Sequence, residues 1–148
     1  MRTFLHACLL ALVLASPAHA VAPSEVDDVM VPLKAYLEGH ATGQEAAFRR
    51  AFAADAVLIG HRDDAYRKGT VDAYIARAAG GRSAPDEAQR RRWIASVHVT
   101  GRVATAVIEL RYPGMHALDH MTLVRFADGW RIVVKAYDAV TPPARVAR

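Results

Sequence analysis

Four segments in the second half of the chain constrain its fold more than anything else in the sequence. Trp93–Thr100, Val103–Tyr112, Ala117–Phe126 and Trp130–Tyr137 are all rich in Val, Ile, Thr and aromatic residues. Such runs fit a pleated, half-buried surface. Gly101 marks one turn between them, Pro113-Gly114 a second and Asp128-Gly129 a third. Strands of this length joined by turns this short predict a strongly twisted antiparallel meander.

The first half has a different period. Val26, Val29, Leu33, Tyr36 and Leu37 recur every three or four residues and make one apolar stripe of a helix. Ser24 suits its N-cap, and Glu25, Asp27 and Asp28 suit the positive end of its dipole. Pro32 falls inside the stripe, removes a backbone donor and is expected to kink or restart the helix. A second helix is expected over Gln44–Ala53, with Phe48 and Phe52 on one face, followed by a buried strand at Ala56–Gly60. After a polar turn at His61–Asp64, Thr70 can cap a third helix carrying Val71, Tyr74, Ile75 and Ala78, which Gly80-Gly81 stop. Helices first and a long meander afterwards give an α+β fold with the helices on one face of the sheet.

Residues 1–20 read as a signal peptide. Arg2 supplies the positive charge, Phe4–Ala15 is an apolar run too short to span a bilayer, and Ala18-His19-Ala20 offers small residues at a cleavage site after Ala20. The expected product is exported, periplasmic or secreted, with no stable membrane insertion after cleavage, and residues 21–148 form a single domain. The one cysteine, Cys8, leaves with the signal, so that domain has neither a disulfide nor a cysteine metal ligand. The formal net charge of +4 is concentrated in Arg82, Arg90, Arg91, Arg92, Arg145 and Arg148. A nucleic-acid site interleaves aromatics with its basic residues, and only Trp93 lies near this cluster. The expectation is a solvated basic loop and no nucleic-acid partner.

At the last hairpin, a three-residue loop Ala127-Asp128-Gly129 would set Phe126 opposite Trp130, Val124 opposite Ile132 and Thr122 opposite Val134. His120 then faces the helices together with Trp130 and Ile132, while Asp119 faces away and pairs with Lys135 or Tyr137. Adjacent strand residues point to opposite faces, so Asp119 and His120 cannot form a dyad with each other. Of the histidines downstream of the signal (His40, His61, His98, His116, His120), no pair lies on a predicted helix at the spacing of a metal site. No metal and no cofactor are expected. His120, Asp119 and His61 are the candidate acid–base residues, imidazole being suited to proton transfer near neutral pH.

An ordered set of segments carries a family resemblance. It runs through Tyr36-Leu37-Glu38-Gly39, Phe52-Ala53-Ala54-Asp55-Ala56-Val57-Leu58-Ile59-Gly60, Ile94-Ala95-Ser96-Val97 and Thr100-Gly101-Arg102-Val103-Ala104. It closes with Asp119-His120-Met121-Thr122-Leu123 and Gly129-Trp130-Arg131-Ile132-Val133-Val134-Lys135. From about Val26 to Tyr137 the chain resembles the putative lumazine-binding branch of the NTF2-like (SnoaL-like) superfamily. Gly43-Gln44 stands where that family commonly has Gly-Asp, and Pro32 also departs from its pattern.

The resemblance implies an NTF2-like cone: N-terminal helices packed on a strongly curved, mostly antiparallel sheet, with a cavity between the layers. In such a cone Tyr36, Phe52, Tyr74 and Trp130, with His61, surround the opening and become candidate ligand contacts. The superfamily includes isomerases, dehydratases, epoxide hydrolases, cyclases and non-catalytic binding proteins, and fold alone does not choose among them. Three readings follow: a protein that holds a small, partly apolar molecule; an acid–base enzyme of isomerase or dehydratase type; and a scaffold whose sheet dimerises. A small-molecule ligand and a homodimer are the expected partners.

Overall fold

The structure is a computed structural model and describes residues 23–142. The expected signal peptide and cleavage site lie outside the described residues, as do Arg145 and Arg148. Three helices, α1 (Pro23–Thr42), α2 (Glu45–Ala51) and α3 (Val71–Ala78), accompany six strands. The strands are β1 (Phe52–Arg62), β2 (Ala65–Thr70), β3 (Arg91–Thr100), β4 (Val103–Tyr112), β5 (Met115–Phe126) and β6 (Gly129–Val140). They form one curved, unclosed sheet in the order β2-β1-β6-β5-β4-β3. Every neighbouring pair is antiparallel except β1 with β6. The α+β fold read from the sequence is the fold observed. No helix among the described residues is long and apolar enough to cross a membrane.

α1 buries most of the expected stripe: Val29, Leu33 and Tyr36 have no exposed surface, Leu37 is half-buried, and Val26 is exposed. It starts at Pro23, so Ser24 lies within the first turn and is not the N-cap. The helix also continues through Pro32 without a restart. A mid-helix proline costs about 3 kcal/mol, and the packed face of α1 offsets it, because tertiary burial supplies most helical stability. Gly43, at φ +68°, ends α1 by donating its N–H to the Gly39 carbonyl at 2.9 Å. Gly39 itself lets the Phe48 ring of α2 lie against α1, since a Cβ there would sit 2.7 Å from that ring. At α3 the expected cap is present, with the Ala73 N–H donating to Thr70 Oγ1 at 3.3 Å.

β2 is absent from the sequence reading. Its residues are almost all exposed, so they carry no apolar alternation. The turn before it places Asp63 at φ 51°, and Arg67 and Lys68 charge an edge strand that would otherwise invite pairing.

The last hairpin corrects the expected register. Its turn has two residues: Phe126 pairs with Gly129, Arg125 with Trp130 and Leu123 with Ile132. A bulge at Val133 then brings the ladder back to the expected register, so that Thr122 pairs with Val134, as expected, and His120 with Ala136. One extra residue changes which side chains share a face. Asp119, Met121 and Leu123 therefore face the helices together with Trp130, Ile132 and Lys135, and His120 faces outward. Further bulges between Ile94 and Ser96 and between Phe52 and Val57 add curvature. The sheet wraps a core of Ile108, Leu110, Met121, Leu123 and Ile132 beneath Leu33, Tyr36 and Phe48.

Candidate functional site

Within that core lies a line of polar groups. The four-residue spacing in α1 puts Tyr36 and His40 on one face, one turn apart. Asp119 comes from β5, Lys135 from β6 and Tyr74 from α3. Asp119 and Lys135 are the buried charges of the interior, at 0% and 5% exposure. The Tyr36 hydroxyl donates to Asp119 Oδ2 at 2.6 Å and accepts from Lys135 Nζ at 2.7 Å. Lys135 Nζ also lies 2.9 Å from Asp119 Oδ1, off the hydrogen-bond direction, so that oxygen gains the charge but no aligned hydrogen. Outward from Tyr36, the Tyr74 hydroxyl donates to the Tyr36 oxygen at 3.2 Å and lies 2.7 Å from His40 Nε2.

Aromatic rings seal this line from the sides. Phe52 packs edge-on to Tyr36 at 5.7 Å and Phe48 to Tyr74 at 5.6 Å between centroids. Lys135 Nζ sits about 5 Å from the ring centres of Tyr36, Tyr74 and Tyr137, a cation–π setting that offsets part of its lost hydration. The space between sheet and helices is filled here by side chains; Tyr74 and His40, half-buried, are where the line meets the rim.

Burial shapes the titration of all four groups. It raises the Tyr36 and Tyr74 hydroxyls well above the usual tyrosine range, and the charge of Asp119 adds to both. It holds His40 well below the usual histidine range, helped by the cations Lys135, Arg92 and Arg90. It lowers Lys135, which Asp119 pulls back up. A neutral imidazole and two protonated phenols are the resulting states near neutral pH.

The rim is built by β4 and by the segment leading into β3. The Tyr112 ring lies 6.0 Å from that of His40, and the guanidinium groups of Arg90 and Arg92 stand 4.5 and 5.3 Å from the Tyr112 centroid. Arg92 donates to the Tyr112 oxygen at 3.2 Å and grips Glu87 with two nitrogens, at 2.7 and 2.8 Å. Arg90 pairs with Asp86 at 2.8 Å. The solvated loop expected from the sequence is thus corrected for these two arginines: Arg92 keeps 11% of its side chain exposed. The segment is fastened at its other end, where Gly81 N–H donates to the Gly43 carbonyl at 2.9 Å.

Of the residues singled out by sequence, Tyr36, Phe52, Tyr74 and Asp119 come together here. Trp130 is buried on the same sheet face, near the β5–β6 turn and opposite Arg125, with its indole N–H unpaired. His120 and His61 are exposed on the outer face. His120 helps line a shallow surface depression of about 260 Å³ with Ile59, Gly60, Tyr66, Ala136 and Asp138. The His61 ring lies 5.7 Å from that of Tyr66. Sequence reasoning missed His40 and the rim residues Tyr112, Arg90 and Arg92. The Tyr36–His40 spacing would have pointed to His40. Among the described residues no group of three or more His, Cys, Asp or Glu side chains is placed to hold a metal ion.

Helices laid over a curved, unclosed sheet, with a buried polar line between them, define an NTF2-like α+β protein. The chain belongs to the putative lumazine-binding family, whose profile matches residues 24–138. Among solved structures it is similar to an NTF2-like protein of unknown function from Silicibacter pomeroyi, with 27% identity and a TM-score of 0.70 over 80% of this chain and 99% of that one. It is also similar to an NTF2-like protein of unknown function from Shewanella baltica, with 21% identity and a TM-score of 0.70 over 82% and 98% of the two chains. A third, from Methylobacillus flagellatus, has 19% identity and a TM-score of 0.70 over 82% and 95%. A search of curated proteins finds no match to this chain.

Proposed function

We propose that this chain is an exported protein that binds a small, partly apolar molecule at the mouth of the cone, over Tyr74, His40 and Tyr112. One observation carries the reading: a buried, charge-terminated line of hydrogen bonds runs from Asp119 to a half-buried aromatic rim. Burying such a pair is costly compared with packing apolar side chains of the same volume, and perturbed titratable groups gather at functional sites. The rim gives a ligand ring faces to stack on and polar atoms to orient it. Export rests on the amino-terminal sequence pattern.

The test is native purification followed by mass spectrometry, with a thermal-shift screen of metabolites that includes lumazine, the compound in the family's name. A ligand at about 100 times its Kd adds roughly 2.7 kcal/mol of stability. That gain should shrink in Tyr74→Phe and His40→Gln proteins that still fold. A screen without any stabilising compound, together with a protein that purifies empty, would overturn the proposal.

The outer sheet face supports a second reading, a homodimer. Val57, Val103 and Leu118 are each more than a third exposed there. Sedimentation of the purified protein tests it, and a monomer at all concentrations removes it.

A further inference from the structure

We infer that the polar line is an extended general base, which takes a proton at His40 Nδ1 and delivers it to Asp119, and that its substrate is a small carbonyl compound with a removable α-hydrogen. This inference rests on the binding site proposed above.

Counting hydrogens sets the direction of the line. Lys135 has only donors, and Tyr36 has a single hydroxyl hydrogen, held by Asp119 Oδ2 at 2.6 Å. The Tyr36 oxygen therefore accepts from both Lys135 and Tyr74. Tyr74 also has one hydrogen, and we assign it to the 3.2 Å contact with Tyr36, a contact that no other group's hydrogen can fill. Toward His40 Nε2, at 2.7 Å, Tyr74 can then only accept. With that assignment His40 carries its hydrogen on Nε2, which leaves Nδ1 with a bare lone pair. Every bond in the line points inward.

A proton arriving at Nδ1 can then be passed along without making a new charge. The Nε2 hydrogen moves to Tyr74, the Tyr74 hydrogen to Tyr36, and the Tyr36 hydrogen to Asp119. His40 ends neutral with its hydrogen on Nδ1, both tyrosines end neutral, and Asp119 becomes a carboxylic acid. In the ligand a C–H bond breaks, and its electron pair forms the C=C bond of an enolate whose charge rests on oxygen. Reversal of the hops returns the proton, to the same carbon or to another one conjugated with it. No oxidant, reductant or second substrate is needed. Lys135, left without its counter-charge while Asp119 is protonated, favours the return.

The substrate class follows from what stands beside the base. Arg92 donates to the Tyr112 oxygen, so the hydrogen of Tyr112 remains for an outside acceptor. Arg90 and Arg92, paired with Asp86 and Glu87, hold two guanidinium groups against the same ring. A neutral base next to a hydroxyl donor that itself accepts from a guanidinium is an arrangement suited to proton abstraction next to a carbonyl.

Two measurements on the full chain test this. With histidine labelled by nitrogen-15, NMR should show His40 protonated at Nε2; a hydrogen on Nδ1 in the unliganded protein would overturn the inference. Cyclohexanone in deuterium oxide is the second probe, with α-hydrogen exchange followed by proton NMR and binding followed by saturation transfer. Exchange is expected at least about 100-fold above buffer, within the range of general-base catalysis. It should fall to the buffer rate in His40→Gln and drop at least about tenfold in Tyr74→Phe and Tyr36→Phe, with binding retained in Tyr36→Phe, whose hydroxyl lies beneath the rim. Near-UV circular dichroism checks that each variant is folded, and two separate cuts in the line guard against one that is not. Binding without exchange overturns the relay and leaves the binding site standing. Absence of binding overturns both.

Discussion

Replacing Lys135 with Met is the most direct test of the interior. The lysine is 5% exposed, and its removal leaves the fully buried Asp119 carboxylate with one good hydrogen bond, from Tyr36. Breaking a buried ion pair by deleting one partner costs about 3–5 kcal/mol, because the remaining charge is uncompensated. At roughly 3–5 °C per kcal/mol for a domain of this size, the melting temperature should fall by roughly 10–20 °C. The double variant Lys135→Met/Asp119→Leu removes both charges and keeps the volume filled. It should recover most of that loss, although the Tyr36 hydroxyl then needs another acceptor. Urea unfolding followed by tryptophan fluorescence on the wild type, both single variants and the double variant closes a thermodynamic cycle. A coupling energy of at least about 2 kcal/mol is expected. The loss in Lys135→Met should also shrink in acid, where the orphaned carboxylate can neutralise itself. A single-variant loss below about 1 kcal/mol with no coupling would show that the two charges do not compensate each other, and the description of the interior would fail.

His40 predicts an acid dependence of stability. Its folded-state value is depressed while the unfolded chain titrates near pH 6.5. Below about pH 6.5 the unfolded state binds the extra proton, so stability falls with pH, by up to about 1.4 kcal/mol per unit. His40→Gln should flatten part of that slope between pH 5 and 7 in urea titrations; an unchanged slope assigns the effect to other groups. Gly60 has φ +156° and a Cβ there would overlap the Tyr137 carbonyl. Gly60→Ala should therefore lose roughly 2 kcal/mol or more, and a wild-type melting temperature would contradict the β1–β6 packing described.

The fold was legible because its signals are local. The four meander segments alternate or run apolar over their whole length, and Thr70 caps α3 through its own side chain. The site was legible only in part. Tyr36, Phe52 and Tyr74 sit on apolar stripes that any core-seeking reading selects. Asp119 and His120 exchanged roles because Val133 adds one residue to β6, and no residue type in Gly129-Trp130-Arg131-Ile132-Val133-Val134 announces a bulge. Arg90 and Arg92 lie in a run of basic residues, and charge alone does not tell which of them stack on Tyr112. β2 gave no sign because an exposed edge strand need not bury anything.

The strand order has a consequence for how the molecule is made. β6, made after the other five described strands, occupies an interior position with β1 on one side and β5 on the other. Until it arrives, both neighbours present open edges, and the helical half shares no ladder with the meander. Contacts as distant in sequence as Phe52 with Ile132 close only at the end, which makes for slow assembly. A chain stopped before Gly129 would carry two adhesive borders and lack the ammonium group that neutralises its buried acid.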